Sequence, residues 1–281
     1  MSANQLAATA HERIWGRPGN WAGAIIPPRT DCVIGEIWHE DLTAENPALL
    51  VKHIFTAERL SIQVHPDDAA ADARRLARGK DEAWFILDAE PDAVIGLGLT
   101  REVSKEALRA AALDGSIERL IDWRPVRSGE LIYSPGGTIH AIGGGISLIE
   151  VQQNLDLTYR LYDYGRPREL HLDDALSVAD PGPYRFQFEP FERAAGRQVL
   201  VTGGAFVVEW WAFAAPSRLF DPTGELLLIP IADGGALDGE PLAAGSVWRI
   251  EGAATLVPEP GMDLLAAYPG GQVRADICCF K

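Results

Sequence analysis

The chain has 281 residues, 47% apolar and 23% charged, with a formal net charge of −15, a balance that disfavours nucleic acid and anionic membranes as partners. No apolar run approaches the roughly 20 residues that span a bilayer, and the N-terminus lacks a basic stretch followed by an apolar one. The three cysteines, Cys32, Cys278 and Cys279, carry no disulfide framework, so the expected setting is a reducing cytoplasm, and any anionic substrate needs a local cluster of cations.

Residues 1–30 read as a loop-rich lead-in with one or two edge strands, punctuated by Trp15-Gly16, Asn20-Trp21 and Pro27-Pro28. From Cys32, CVIGEIWHE alternates as a strand, and LLVKHIFTAERLSIQVHP gives two β-rich runs broken at Ala57-Glu58-Arg59. In the second run Gln63 and His65 stand two residues apart, on one face of a strand. Pro66-Asp67-Asp68 opens a helix predicted over 67–78 and stopped by Gly79, with the two aspartates read as its cap rather than as partners of His65. Lys80 and Glu82 then lead into the strands EAWFIL and AVIGLGL.

Residues 102–121 predict a second helical passage, interrupted at Asp114-Gly115. Six glycines between Gly129 and Gly145 call for tight turns rather than helix, and within them stands His140. EVQQNLDLTYRLYDY reads as a strand, and ELHLDDALSVAD as a short helix capped near Asp173. The Pro/Gly cluster at 181–186 suggests two domains, 1–185 with helical decoration and 186–281, an all-β domain whose Trp210-Trp211 pair reads as core. Every histidine precedes residue 172, so a second domain built like the first has lost any metal chemistry. Two imidazoles (His65, His140), the Glu82 carboxylate and the Gln63 amide together suit a divalent cation, most naturally Zn²⁺.

The frame Gly129, Pro135, Gly137, His140 resembles the second motif of the cupin superfamily, with Gln63-x-His65 and Glu82 in the roles of the first. LSIQVHPDD, GKDEAWFIL, SPGGTIHAIGGG and TYRLYDYGRPRELH together resemble type I mannose-6-phosphate isomerase. That resemblance implies a mainly β fold of two tandem cupin-like barrels (double-stranded β-helix, jelly-roll) with a short helical insertion, the second barrel metal-free. It implies one zinc per chain on Gln63, His65, Glu82 and His140, a catalytic Arg160, active-site lysines Lys52 and Lys80, and a phosphate contact at Ser61. The implied partner is a small sugar phosphate. The chain departs from the pattern in its short insertion and in IWHED, where many relatives have a WE-x-S-like stretch.

Aldose–ketose isomerisation moves a proton between C1 and C2 through a cis-enediol, which requires a Lewis acid, a base and cations for the phosphate. For the base, Glu150, Asp156 and Lys80 are candidates. Glu150 ranks first, on a strand that follows the His140 turn and ten residues before Arg160. Two other functions fit the same residues: an Fe(II)-dependent cupin dioxygenase, since two histidines and a carboxylate suit iron, and a non-catalytic sugar-phosphate-binding cupin. The pattern assigns no oligomeric state.

Overall fold

Strand-type segments recur along the chain, and the computed structural model is accordingly mainly β. It describes residues 3–18, 25, 32–214, 216–219, 224–275 and 277–280. Asn20-Trp21 and Pro27-Pro28 lie outside these residues; the described part of the lead-in forms two strands, Ala3–Gln5 and Ala7–Pro18. Contacts divide the chain into two units. The first comprises Met1–His11, Pro18–His53 and Phe188–Lys281, and the second Glu12–Arg17 and Ile54–Gln187.

In the first unit, a seven-stranded antiparallel sheet contains Arg197–Thr202, Phe206–Trp211, Leu226–Pro230 and Leu264–Pro269. A five-stranded sheet contains Ala236–Leu237 and Ala254–Val257. Val207, Leu228 and Leu264 of the former share one apolar core with Leu237, Ala254 and Leu256 of the latter. Trp211 lies in this core, while its neighbour Trp210 is half-buried and donates to Asp263. Arg197 and Glu209 form a buried bidentate ion pair at 2.8 and 2.7 Å, and Trp211 and Tyr268 both donate to the same carboxylate.

The second unit is built on a five-stranded sheet in the order Tyr159–Tyr162, Ile62–Val64, His140–Ile142, Val94–Leu99, Ile121–Pro125. Helices Lys105–Asp114 and Leu172–Val178 cover one face: Leu108, Ala112 and Leu176 pack with Ile62, Val64, Ile139 and Leu161. The other face contributes Ile95, Leu97 and Ile142 to a second core, with Trp84 and Ile86 of the Glu82–Ala89 strand and Leu148 of the Ile146–Gln153 strand. Thus side chains that point away from the helices point into the interior of this unit.

The helix expected over 67–78 is confined to Asp68–Ala73. Asp67 caps it as read, accepting from the Ala70 amide at 2.7 Å, but Arg75 already takes a left-handed φ of 60°. The Gly79 amide then returns to the Asp68 carboxylate at 2.7 Å. The need to come back to its own starting point overrides the helix propensity of the Ala/Arg-rich segment. The 102–121 passage breaks where Asp114-Gly115 predicts. Ser104 caps Lys105–Asp114, Gly115 ends it in the left-handed region, and a 3₁₀ turn Ser116–Arg119 follows.

Candidate metal centre

Strand alternation sets the direction of the polar side chains. Gln63 lies between Ile62 and Val64, His140 between Ile139 and Ala141, and Arg160 between Tyr159 and Leu161, all of which face the helices. Gln63, His140 and Arg160 therefore share the interior face. Register brings them side by side: His140 pairs with Gln63, and Gln63 with Arg160. Glu82 shares the interior side of its strand with Trp84 and Ile86, opposite Gln152.

These strands bring His65, Glu82 and His140 together, all buried, with their ligand-type atoms within 4.8 Å of one another. His65 Nε2 is 3.2 Å from Glu82 Oε1, and His140 Nε2 is 3.4 Å from Glu82 Oε2. Each imidazole turns its other nitrogen to a backbone carbonyl, His65 Nδ1 to Leu157 at 2.8 Å and His140 Nδ1 to Thr138 at 3.0 Å. That arrangement puts the proton on Nδ1 and leaves both Nε2 lone pairs for a cation. Burial, and then the Lys80 ammonium, lower His65 to about 3, and burial lowers His140, so both rings are neutral near pH 7. Burial alone would raise Glu82, but the Lys80 ammonium at 3.1 Å helps hold it well below the ordinary carboxylate value. Glu82 Oε2 makes no hydrogen bond among the described residues. Two neutral imidazoles and an ionised, under-bonded carboxylate fit a divalent metal. Gln63 presents its amide nitrogen 3.3 Å from His140 Nε2 and accepts from the Ser61 hydroxyl at 3.0 Å. A half-turn of the amide puts its oxygen toward the cluster and still bonds Ser61.

Around this cluster, buried Lys80 places Nζ 3.1 Å from Glu82 Oε1 and 3.5 Å from His65 Nε2. Glu150 is buried on the Ile146–Gln153 strand, and Trp84 Nε1 donates to its Oε2 at 3.0 Å. The Trp84 ring in turn meets His140 edge-on at 5.2 Å. Arg160 is half-buried; it donates to the Glu169 carbonyl at 2.7 Å, and its Nε has no hydrogen-bond partner among the described residues. Asp156 is exposed on the loop before Tyr159, outside the bonded cluster. Lys52 belongs to the first unit, buried with Nζ 4.5 Å from the centre of the Trp38 ring. An open cleft of about 660 Å³ lined by Arg59, Trp123, Tyr164 and Arg166 reaches Gly143, beyond the far end of the His140 strand, and includes none of the cluster residues.

Several neighbours escape a reading by motif. Asp81 precedes Glu82 and is bonded by Gly136 and Tyr133, while Gln152, fully buried opposite Glu82, has an Oε1 without a hydrogen-bond partner among the described residues. Strand parity from Glu150 marks Gln152 as inward-facing; nothing local marks Asp81.

A mainly β, cupin-like fold with a buried His–Glu–His cluster defines a cupin with a metal-type site. No protein-family model matches the chain. It is 33% identical over 225 residues to mannose-6-phosphate isomerase ManA of Bacillus subtilis, covering 74% of this chain and 71% of that protein. It is 35% identical over 198 residues to the mannose-6-phosphate isomerase of Streptococcus mutans, covering 66% of this chain and 61% of that protein's length. The crystal structure of the Bacillus subtilis mannose 6-phosphate isomerase superposes with a TM-score of 0.81 at 27% identity, over 95% of this chain and 99% of the other. The chain belongs to the mannose-6-phosphate isomerase family.

Proposed function

We propose that this chain is a zinc-dependent aldose–ketose isomerase that interconverts mannose 6-phosphate and fructose 6-phosphate through a cis-enediol. The observation that carries the reading is the convergence of two neutral Nε2 atoms on the Glu82 carboxylate, in a chain of this family. His65, Glu82 and His140 hold the metal, with the Gln63 amide oxygen as a fourth donor. When bound, the metal supplies Lewis-acid polarisation of the sugar oxygens at C1 and C2.

The chain's own residues do the rest. Glu150 carries the proton between C1 and C2; the bond from Trp84 fixes one of its oxygens and aims the carboxylate. Lys80 keeps Glu82 ionised and offers an ammonium beside the sugar oxygens. Arg160, next to Gln63 in register, presents a guanidinium to charge that grows on those oxygens in the transition state. Ser61 and Lys52 are assigned to the phosphate by the family pattern, and Asp156 ranks below Glu150 as a base because it is exposed.

The test is metal analysis of purified protein with an NMR assay of mannose 6-phosphate conversion. Stoichiometric zinc with conversion that stops on chelation is expected. Oxygen uptake without isomerisation, or binding without turnover, would overturn the proposal.

A further inference from the structure

The three metal-type side chains sit on chain segments far apart in sequence, so something must fix their spacing. The segments after His65, before Glu82 and before His140 are pressed together backbone to backbone. A Cβ on Gly79 would lie 2.6 Å from the Asp67 carbonyl carbon, and one on Gly136 2.5 Å from the Asp67 Cα. The Lys80 amide donates to the Pro66 carbonyl at 2.9 Å, and the Gly137 amide to the His65 carbonyl at 2.8 Å.

One side chain joins these segments. Asp81 Oδ1 accepts from the Gly136 amide at 2.8 Å, four residues before His140, and Oδ2 accepts from the Tyr133 hydroxyl. Its own amide donates to Gln153 Oε1 at 2.9 Å, and the Gln153 amide donates back to the Asp81 carbonyl at 3.1 Å. Gln153 Nε2 then reaches Asp68 Oδ1 at 2.9 Å, three residues after His65. Asp81 thus touches the Glu82 segment by peptide bond, the His140 segment directly and the His65 segment through one glutamine.

Resting on the metal reading of the cluster, we propose that Asp81 is the positioning residue of the metal centre. Its carboxylate, clamped by Tyr133 and Gly136, sets the separation of the strands that carry His65, Glu82 and His140. It touches neither metal nor substrate, and acts through the direction in which those three side chains arrive. Groups that hydrogen-bond a ligating side chain directly typically govern affinity by about 10–100-fold, and Asp81 acts one bond further out, through Gly136 and Gln153.

The experiment compares the parent with Asp81→Asn, Tyr133→Phe and Glu82→Gln as full-length proteins. Zn²⁺ affinity is measured by competition with a chromophoric chelator, the d–d spectrum after Co²⁺ substitution, and the thermal midpoint of the metal-free protein. Asp81→Asn is expected to weaken Zn²⁺ by about 10-fold, the lower end of that range, and to alter the Co²⁺ spectrum, with the metal-free midpoint close to the parent's. Tyr133→Phe, which keeps the carboxylate, should move both readouts in the same direction by less. Parental affinity and spectrum in Asp81→Asn would overturn the assignment. So would weakened binding that merely tracks a collapsed metal-free midpoint in both variants, since Asp81 would then serve folding alone. A parent that binds no metal, or a Glu82→Gln protein that binds as the parent does, overturns the metal reading itself and this assignment with it.

Discussion

His140 and Gln63 face one another in register on adjacent strands, the imidazole Nε2 3.3 Å from the Gln63 amide nitrogen. His140 also meets Glu82 at 3.4 Å, so a single ring bridges two of the other proposed ligands. His140→Ala should weaken zinc by more than the about 10–100-fold typical of outer partners, and abolish isomerisation. Circular dichroism of the variant should keep its β signature, because His140 contributes no apolar core. Stoichiometric zinc in this variant would remove His140 from the site.

Arg160 makes no bond to the His–Glu–His cluster, and its guanidinium donates to the Glu169 carbonyl. Arg160→Ala should therefore retain zinc while kcat falls by about 10²–10³-fold, as for the loss of one transition-state donor. Arg160→Lys should recover little, since an ammonium lacks the planar fork. Steady-state kinetics beside metal content decides it, and near-parental kcat in a zinc-replete Arg160→Ala would make Arg160 structural.

His39 and His53 form a buried pair in the first unit, Nε2 to Nδ1 at 2.9 Å. Burial lowers His39 from 6.5 to about 4. Between those values the unfolded chain binds a proton that the folded chain refuses. The contribution of this group is whole above pH 6.5 and is lost as pH falls toward 4, by about 3 kcal/mol. Urea unfolding of metal-free protein at about pH 7 and about pH 4.5 measures the fall, and His39→Gln should flatten it. An unchanged pH slope in His39→Gln would exclude His39 as its source.

The Arg197–Glu209 pair has side-chain exposures of 2% and 0%, so removing one partner strands a buried charge. Glu209→Ala should cost about 3–5 kcal/mol. The urea midpoint of the variant checks this; a shift equivalent to less than about 1 kcal/mol would show that water reaches the pair.

Much of the candidate centre is legible in sequence because strand parity is a local rule. Gln63 and His65 share a face whatever the rest of the chain does, and the glycines and proline around His140 announce its turn. The helix over 67–78 was legible only at its start: the Asp67 cap is local, whereas its early end at Ala73 answers to the distant requirement that Gly79 return to Asp68. Asp81 lay beyond reach for the same reason, since its partners Tyr133 and Gly136 stand more than fifty residues away. Position on a strand after the His140 turn ranks Glu150 over Asp156 in sequence; burial beneath Trp84 against exposure on a loop is the physical difference between them, and neither is written in their neighbours.

The bond from the Gly79 amide to Asp68 Oδ1 closes a neck, at which the chain leaves at Pro66 and rejoins at Lys80. The neck, rather than the length of chain that hangs from it, sets the His65–Glu82 spacing. Lengthening such a loop is thermodynamically cheap, about 0.6 kcal/mol for each doubling. The segment between Asp68 and Gly79 should therefore accept a longer insert while His65 and Glu82 keep their spacing. For the same reason, the residue count between His65 and Glu82 measures the size of that segment and carries no information about the geometry of the centre.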